Sequence, residues 1–225
     1  MNSLELFKTQ KFYQIDISIL KDLGYDVLLS NRIFDSLLFW KYDILFSYFY
    51  RYSFFAALLA KCFGKKTYFT GGIDSLDSDY ASAFNYKIQA LFFKLCYWVA
   101  DSCIIVSQSD LKNIFKVSSL KKKLSYSEHV INTKLFIADV PKEKIFTSIV
   151  WMGDEGNVVR KGVDKALQIF AELKKIPEFV DYRFVIIGRK GEGEVLVRSI
   201  IDKYNLKGSV ELKGEVSEED KINLL

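Results

Sequence analysis

The sequence holds a single histidine, His129, and three cysteines, Cys62, Cys96 and Cys103. One histidine excludes any mechanism that needs two. Without a close Cys-x-x-Cys pair, it also argues against a structural zinc site. The odd, scattered cysteines fit a reducing cytosol better than a disulfide scaffold. Long hydrophobic runs are lacking too. The most apolar stretch, residues 88–100, is interrupted by Lys94 and is too short to span a bilayer. The amino terminus, MNSLELFKTQKF, has no long apolar centre and no small-residue cleavage site, so it does not read as a signal peptide. Strong charge bias is also missing. The 32 basic and 28 acidic residues leave a formal charge of +4, which does not call for a nucleic-acid partner.

What is present is a large apolar fraction: half of the 225 residues are hydrophobic and 16% are aromatic. That supports a buried core and excludes a disordered chain. The aromatics are uneven, with 28 of the 35 in residues 1–145. An aromatic core under a lysine-rich surface accounts for this, as does a half that meets an anionic or lipid-bearing partner.

Helical and strand periods alternate along the whole chain. Apolar residues at helical spacing from Ile15 to Leu23 stop at Gly24, a helix carboxyl-terminal signal. A short strand is expected at Tyr25–Leu29, a helix around Arg32–Trp40 and a strand at Tyr42–Ser47. A helix at Tyr52–Phe63 should end at Gly64. The strand Lys66–Thr70 should run into Gly71-Gly72, and a long helix should cover Tyr80–Ala100. The apolar run Ser102–Val106 suits a parallel strand buried on both faces. A helix at Ser107–Phe115 and a strand at Lys123–Ser127 complete this half.

Residues from His129 to Ile145 contain Pro141 and little periodicity, and read as a linker. The pattern then restarts. Strands are expected at Thr147–Met152, Arg183–Ile187 and Ser209–Leu212. Helices are expected at Lys161–Ile176 and Glu194–Tyr204, with another opening at Ser217. Repeated βα units imply parallel sheets. The expected fold is therefore α/β, with two Rossmann-like parallel-sheet domains. A first domain over residues 1–137, a linker over 138–145 and a second domain over 146–225 are expected. The chain opens on a helix where a strand would be expected and stops inside a helix, so the second domain should be incomplete. Ligands of such sheets sit at the carboxyl ends of the strands. This draws attention to the loops at Ser47, Gly71-Gly72, Ser107, Gly153, Gly188 and Gly214.

The segment IVWMGDEGNVVRKG, residues 149–162, is followed by helix, by a strand ending in Gly188, and by Gly214 leading into Ser217-Glu218-Glu219-Asp220. In this order of landmarks the sequence resembles glycosyltransferase family 4, retaining nucleotide-sugar enzymes of the GT-B fold. The landmarks FGKKTYFTGGID, IIVSQSDL and VINTKLF extend the resemblance through the first half, the last matching a family Asn-Gly-Val-Asp-Thr-x-x-Phe segment.

The resemblance implies transfer of a sugar, with retention, from a nucleotide-diphosphate donor on the second half to a glycan or lipid-linked acceptor on the first. No metal or other cofactor is implied. Lys161 would open a helix. There its charge would join the helix dipole and free amide donors to stabilise the diphosphate leaving group. Arg160 beside it is a second candidate. The family's arginine after the strand glycine is replaced here by Asp154. Gly153, Gly162, Gly188 and Gly214 would line the donor, with Glu215 and Val216 following as base-contacting backbone. Turn chemistry serves these glycines equally well. Gly71, where many family members place a histidine facing the sugar, and Gly72 would give room on the acceptor side, or simply form a strand-to-helix turn.

Asp77-Ser78-Asp79 spells a metal-binding DxD, but reads as the acidic start of a helix. Lys121-Lys122-Lys123 reads as a solvated turn, with contact to a membrane surface as the alternative. The implied location is cytoplasmic, with the inner membrane face as the alternative. Two other readings stay open: a non-catalytic nucleotide- or glycan-binding remnant, favoured by Asp154 and Gly71, and a GT-B enzyme of another reaction, such as an epimerase.

Overall fold

The computed structural model describes residues 3–77, 81–119, 121–130, 133–135 and 142–224. The chain divides into two compact units, Met1–Ile131 and Asn132–Leu225.

The first unit opens with helices α1 (Ser3–Thr9) and α2 (Lys11–Asp22). Gly24, at φ +87°, ends α2 as its position in the sequence suggests. Then come β1 (Ile44–Tyr48), α3 (Ser53–Cys62), β2 (Lys66–Thr70), α4 (Ala83–Val99), β3 (Ser102–Ile105), α5 (Gln108–Val117) and β4 (Leu124–Tyr126). The sheet order is β1-β2-β3-β4, and every neighbouring pair is parallel. Helix starts follow the capping residues. The Ser82 hydroxyl accepts from the Asn85 amide at 3.3 Å, and the Ser107 hydroxyl from the Asp110 amide at 3.0 Å. The core gathers Phe69, Phe93, Cys96, Cys103, Ile105 and Ile114.

Three expectations for this unit need correction. Tyr25–Leu29 is irregular, not a strand. Among the described residues no strand pairs with it, and Tyr25 and Leu28 stay exposed, so its β-propensity has no ladder to join. Arg32–Trp40 forms two short 3₁₀ turns, Ile33–Leu37 and Phe39–Lys41, in place of one helix. The lysine run is not a simple solvated turn. The Lys123 ammonium donates to the carbonyls of Tyr97, Trp98 and Ala100 at 3.2, 3.0 and 2.6 Å, closing the carboxyl end of α4. The Lys121 ammonium lies 4.7 Å from the centre of the Phe115 ring.

The second unit contains β5 (Ile145–Ile149), α6 (Glu155–Arg160), α7 (Val163–Leu173), β6 (Arg183–Ile187), α8 (Gly193–Lys203), β7 (Val210–Gly214) and α9 (Glu218–Asn223). Its sheet is β5-β6-β7, again wholly parallel. Met152, Leu167, Phe170, Ile186 and Val197 fill its core. Helix α6 was not expected, and the helix expected from Lys161 begins at Val163. Residues 138–141 of the expected linker, and Ser78 and Asp79 of the acidic triplet, lie outside the described residues. Among the described residues no helix is long and apolar enough to cross a membrane.

Candidate functional site

The carboxyl ends of β5, β6 and β7 are knitted together by backbone. The Val150 amide donates to Ile187 O at 2.8 Å, and the Met152 amide to Arg189 O at 3.0 Å. In return, the Glu192 amide donates to Gly153 O at 3.1 Å and the Gly193 amide to Met152 O at 3.2 Å. The Gly188 amide donates to Gly214 O at 2.8 Å. This contact is possible because the β6–α8 loop is glycine-rich. A Cβ on Gly188 would stand 2.0 Å from Val150 O, one on Gly191 2.4 Å from Met152 O, and one on Gly193 2.4 Å from Asp154 O. Gly188 is thus required by the neighbouring strand loop. The sequence offered ligand approach or turn chemistry as the reasons; the φ of +138° fits the second, and the close contact with Val150 adds a third.

Gly153 lies against the Trp151 ring and the Asn157 side-chain amide, where a Cβ would meet atoms at 2.8 and 3.1 Å. Gly214 has φ +76°, and a Cβ there would lie 3.3 Å from Lys190 Cε. Lys190 therefore lies over the end of β7. With Arg189 it adds two exposed cations to this loop cluster. Sequence reasoning stopped at Gly188 and passed over both, although they follow it directly.

Lys161 does not open a helix. It forms the carboxyl cap of α6, and its amide donates to Asn157 O at 3.0 Å. The Gly162 amide donates to Val159 O at 3.0 Å. Both donors thus close α6 and are not free for an anion, a correction to the expected arrangement. Gly162, at φ +69°, takes the left-handed turn between α6 and α7. The Lys161 side chain is exposed and makes no hydrogen bond or ion pair among the described residues.

Arg160 is half-buried, and its Nη2 donates to Asn157 Oδ1 at 3.3 Å. This links it to the Gly153 turn through Asn157. Asp154 is the amino-terminal cap of α6; its Oδ1 accepts from the Asn157 amide at 2.7 Å. The family's arginine position is thus occupied by a carboxylate with a structural task. In the first turn of α7, Asp164 Oδ1 is buried without a hydrogen-bond partner among the described residues. Glu215 and Val216 follow β7 in the short link to α9, Glu215 exposed and Val216 half-buried.

In the first unit, the carboxyl ends of β1 and β2 border a cavity of about 380 Å³, lined by Phe49, Arg51, Tyr52, Gly72, Ser75 and Gln89 among others. Gly72 therefore faces a cavity. Gly71, at φ +112°, fits against Phe49, and a Cβ there would lie 3.1 Å from the Phe49 ring. Phe49 itself has φ +67°, unusual for a bulky side chain, and its amide donates to Thr70 O at 2.8 Å. Beneath lies Tyr50, 1% exposed, with its hydroxyl donating to Ile104 O at 2.9 Å. Burial pushes its phenol well above the ordinary tyrosine range. Among the described residues no group of three histidine, cysteine or acidic side chains is placed to hold a metal ion.

Residues 156–225, less than half of the chain, match the family model of glycosyl transferases group 1. A comparison with curated proteins finds no match. Among solved structures, the chain is similar to TarM of S. aureus, with a TM-score of 0.59 at 16% identity over 80% of this chain and 34% of TarM. It is also similar to HepE of Anabaena in complex with UDP, with a TM-score of 0.63 at 12% identity, covering 81% of this chain and 51% of HepE. HepE with UDP-glucose gives 0.59 at 12% identity, covering 89% and 58%. The chain thus spans between a third and three fifths of these proteins. At such identities the likeness establishes the fold, the paired parallel α/β units of GT-B glycosyltransferases.

Proposed function

We propose that the protein transfers a sugar from a nucleotide-diphosphate donor, bound by the second unit, to a glycan or lipid-linked acceptor bound by the first, with retention at the anomeric carbon. The observation that carries this reading is the interlocked loop cluster at the carboxyl ends of β5, β6 and β7, whose β6 and β7 loops fall within residues 156–225, the segment that matches the group 1 family. Open α/β sheets bind ligands at this end.

The chemistry follows from charge. When the glycosidic bond breaks, negative charge grows on the departing diphosphate. Lys161 at the α6–α7 junction and the Arg189-Lys190 pair on the β6–α8 loop are exposed cations of this unit. Arg160, held by Asn157, adds a positioned charge. Cations fixed near a leaving group stabilise the transition state more than the ground state. Gly153, Gly188 and Gly214 shape the backbone around the donor, and Glu215 and Val216 offer backbone toward its base. On the acceptor side, Gly72 opens onto the cavity. No step calls for a metal.

The TarM and HepE structures contain UDP, so UDP is the first nucleotide to test. Calorimetric titration with UDP and UDP-glucose should show binding that Lys161→Ala and Lys190→Ala weaken. Loss of all binding to a panel of nucleoside diphosphates would overturn the reading. A second reading, a non-catalytic nucleotide- or glycan-binding unit, is favoured by Asp154, whose carboxylate occupies the amino terminus of α6. Donor binding without hydrolysis or transfer in the full-length protein would select it.

A further inference from the structure

We infer that the cavity at the carboxyl ends of β1 and β2 is a subsite for an acidic sugar, one whose carboxylate or phosphate pairs with Arg51. The inference rests on the acceptor reading of the first unit and deepens it.

Three observations converge. First, Arg51 Nε is buried and has no hydrogen-bond partner among the described residues. Arg51 forms no ion pair there either. Its guanidinium carbon lies 5.4 Å from the centre of the Tyr52 ring. A guanidinium stays charged at any physiological pH, and a buried donor left unmet is costly. No described residue supplies a countercharge, and the planar fork of arginine suits the carboxylate or phosphate of a ligand in the cavity that Arg51 lines.

Second, the cavity is a suitable size. At about 380 Å³ it lies at the small end of ligand pockets and suits one sugar ring with its substituents. Phe49 and Tyr52 border it and remain 47% and 67% exposed. Their faces carry partial negative charge and attract the slightly positive C–H face of a sugar ring.

Third, the backbone here is strained. Phe49 is held at φ +67° by its amide N–H donating to Thr70 O and by the Ser53 hydroxyl donating to its carbonyl. Gly71 provides the space its ring occupies. A bulky residue kept in this conformation is costly, and such strain concentrates at ligand sites. One carboxylate bonded to the loop after β2 is that of Asp110. It is buried and accepts from the Ile73 amide at 3.3 Å, so it is already committed to the loop.

The test uses the whole chain and four probes in calorimetry: methyl glucoside, glucuronate, glucose 6-phosphate and inorganic phosphate. Either charged sugar should bind at least about tenfold more tightly than methyl glucoside, the scale of one charge-assisted contact. Comparing glucuronate with glucose 6-phosphate tells which anion is preferred. Arg51→Gln should abolish the preference and Arg51→Lys should keep part of it. If Arg51→Gln does not fold, the wild-type preference should still shrink severalfold between low and high salt. Equal binding of charged and neutral sugars, a preference that survives Arg51→Gln, or a salt-independent preference would overturn the inference. So would inorganic phosphate binding as tightly as glucose 6-phosphate, because the site would then recognise no sugar. A UDP titration of the wild type runs alongside. UDP failing to bind while the charged sugars bind would overturn the donor reading and leave the subsite standing.

Discussion

Val150 and Gly188 meet backbone to backbone: a Cβ on Gly188 would stand 2.0 Å from the Val150 carbonyl oxygen. The contact sets how closely the β5 and β6 loops approach. Gly188 also has φ +138°, which side chains rarely adopt. Gly188→Ala should therefore cost about 2–4 kcal/mol, combining backbone strain with displacement of the β5 loop. Gly208, at φ +83° with open space around it, is the control, and Gly208→Ala should cost only about 1–2 kcal/mol. Chemical denaturation of the two variants checks the difference. Equal losses would refute the packing account.

Lys161 is expected to act late in the reaction. If it faces the departing diphosphate, Lys161→Ala should lower turnover by about 30- to 1000-fold, equivalent to about 2–4 kcal/mol, with a smaller effect on donor binding. Steady-state kinetics of the full-length protein with UDP-glucose, paired with calorimetry, separates the two. Unchanged turnover would show that Lys161 only caps α6.

Asp154 has two opposing effects. Its carboxylate caps α6, and under the proposed donor site it also puts negative charge near the diphosphate. Asp154→Asn keeps the cap and removes the charge. UDP affinity should rise by about two- to fivefold, the scale of one charge at a helix amino terminus. Asp154→Ala should in addition lower stability by about 1 kcal/mol. A fall in affinity with Asn would mean that the carboxylate takes part in binding.

Asp101 makes the first unit sensitive to acid. Burial favours its neutral form, but the Lys61 ammonium at 2.7 Å and the Thr67 amide at 2.8 Å outweigh this and lower its pKa. A carboxylate with a lowered folded pKa adds stability above its unfolded value of about 4 and loses it as pH falls through the folded value. Melting temperature should therefore drop below about pH 4, and Asp101→Asn should flatten that part of the profile. Equal slopes in the two proteins would remove Asp101 from the account.

The parallel architecture was legible because strand and helix periods alternate and glycines such as Gly24, Gly64 and Gly188 mark their ends. Tyr25–Leu29 misled because β-propensity describes a half-buried surface, and among the described residues this segment has no neighbouring strand to create one. Helix α6 was hidden because its six residues carry too short a period to detect. Its cap, Asp154, was visible only as a departure from a family pattern. Lys123 looked like one of three solvated lysines. Its role depends on the end of α4 lying next to β4, a contact between segments about 25 residues apart. Arg51 sat unnoticed in an aromatic run, since burial of one nitrogen atom leaves no mark in sequence spacing.

The three thiols divide by chemistry as well as by place. Cys62 is exposed on α3, whereas Cys96 and Cys103 are fully enclosed where α4 packs on β3. Burial pushes the Cys103 thiol up to about 12 and raises Cys96 as well, so little thiolate exists at neutral pH. A maleimide should therefore label one site at once and the other two only as the first unit opens. The slow labelling rate then becomes a clock for opening of that unit alone, because the second unit contains no cysteine.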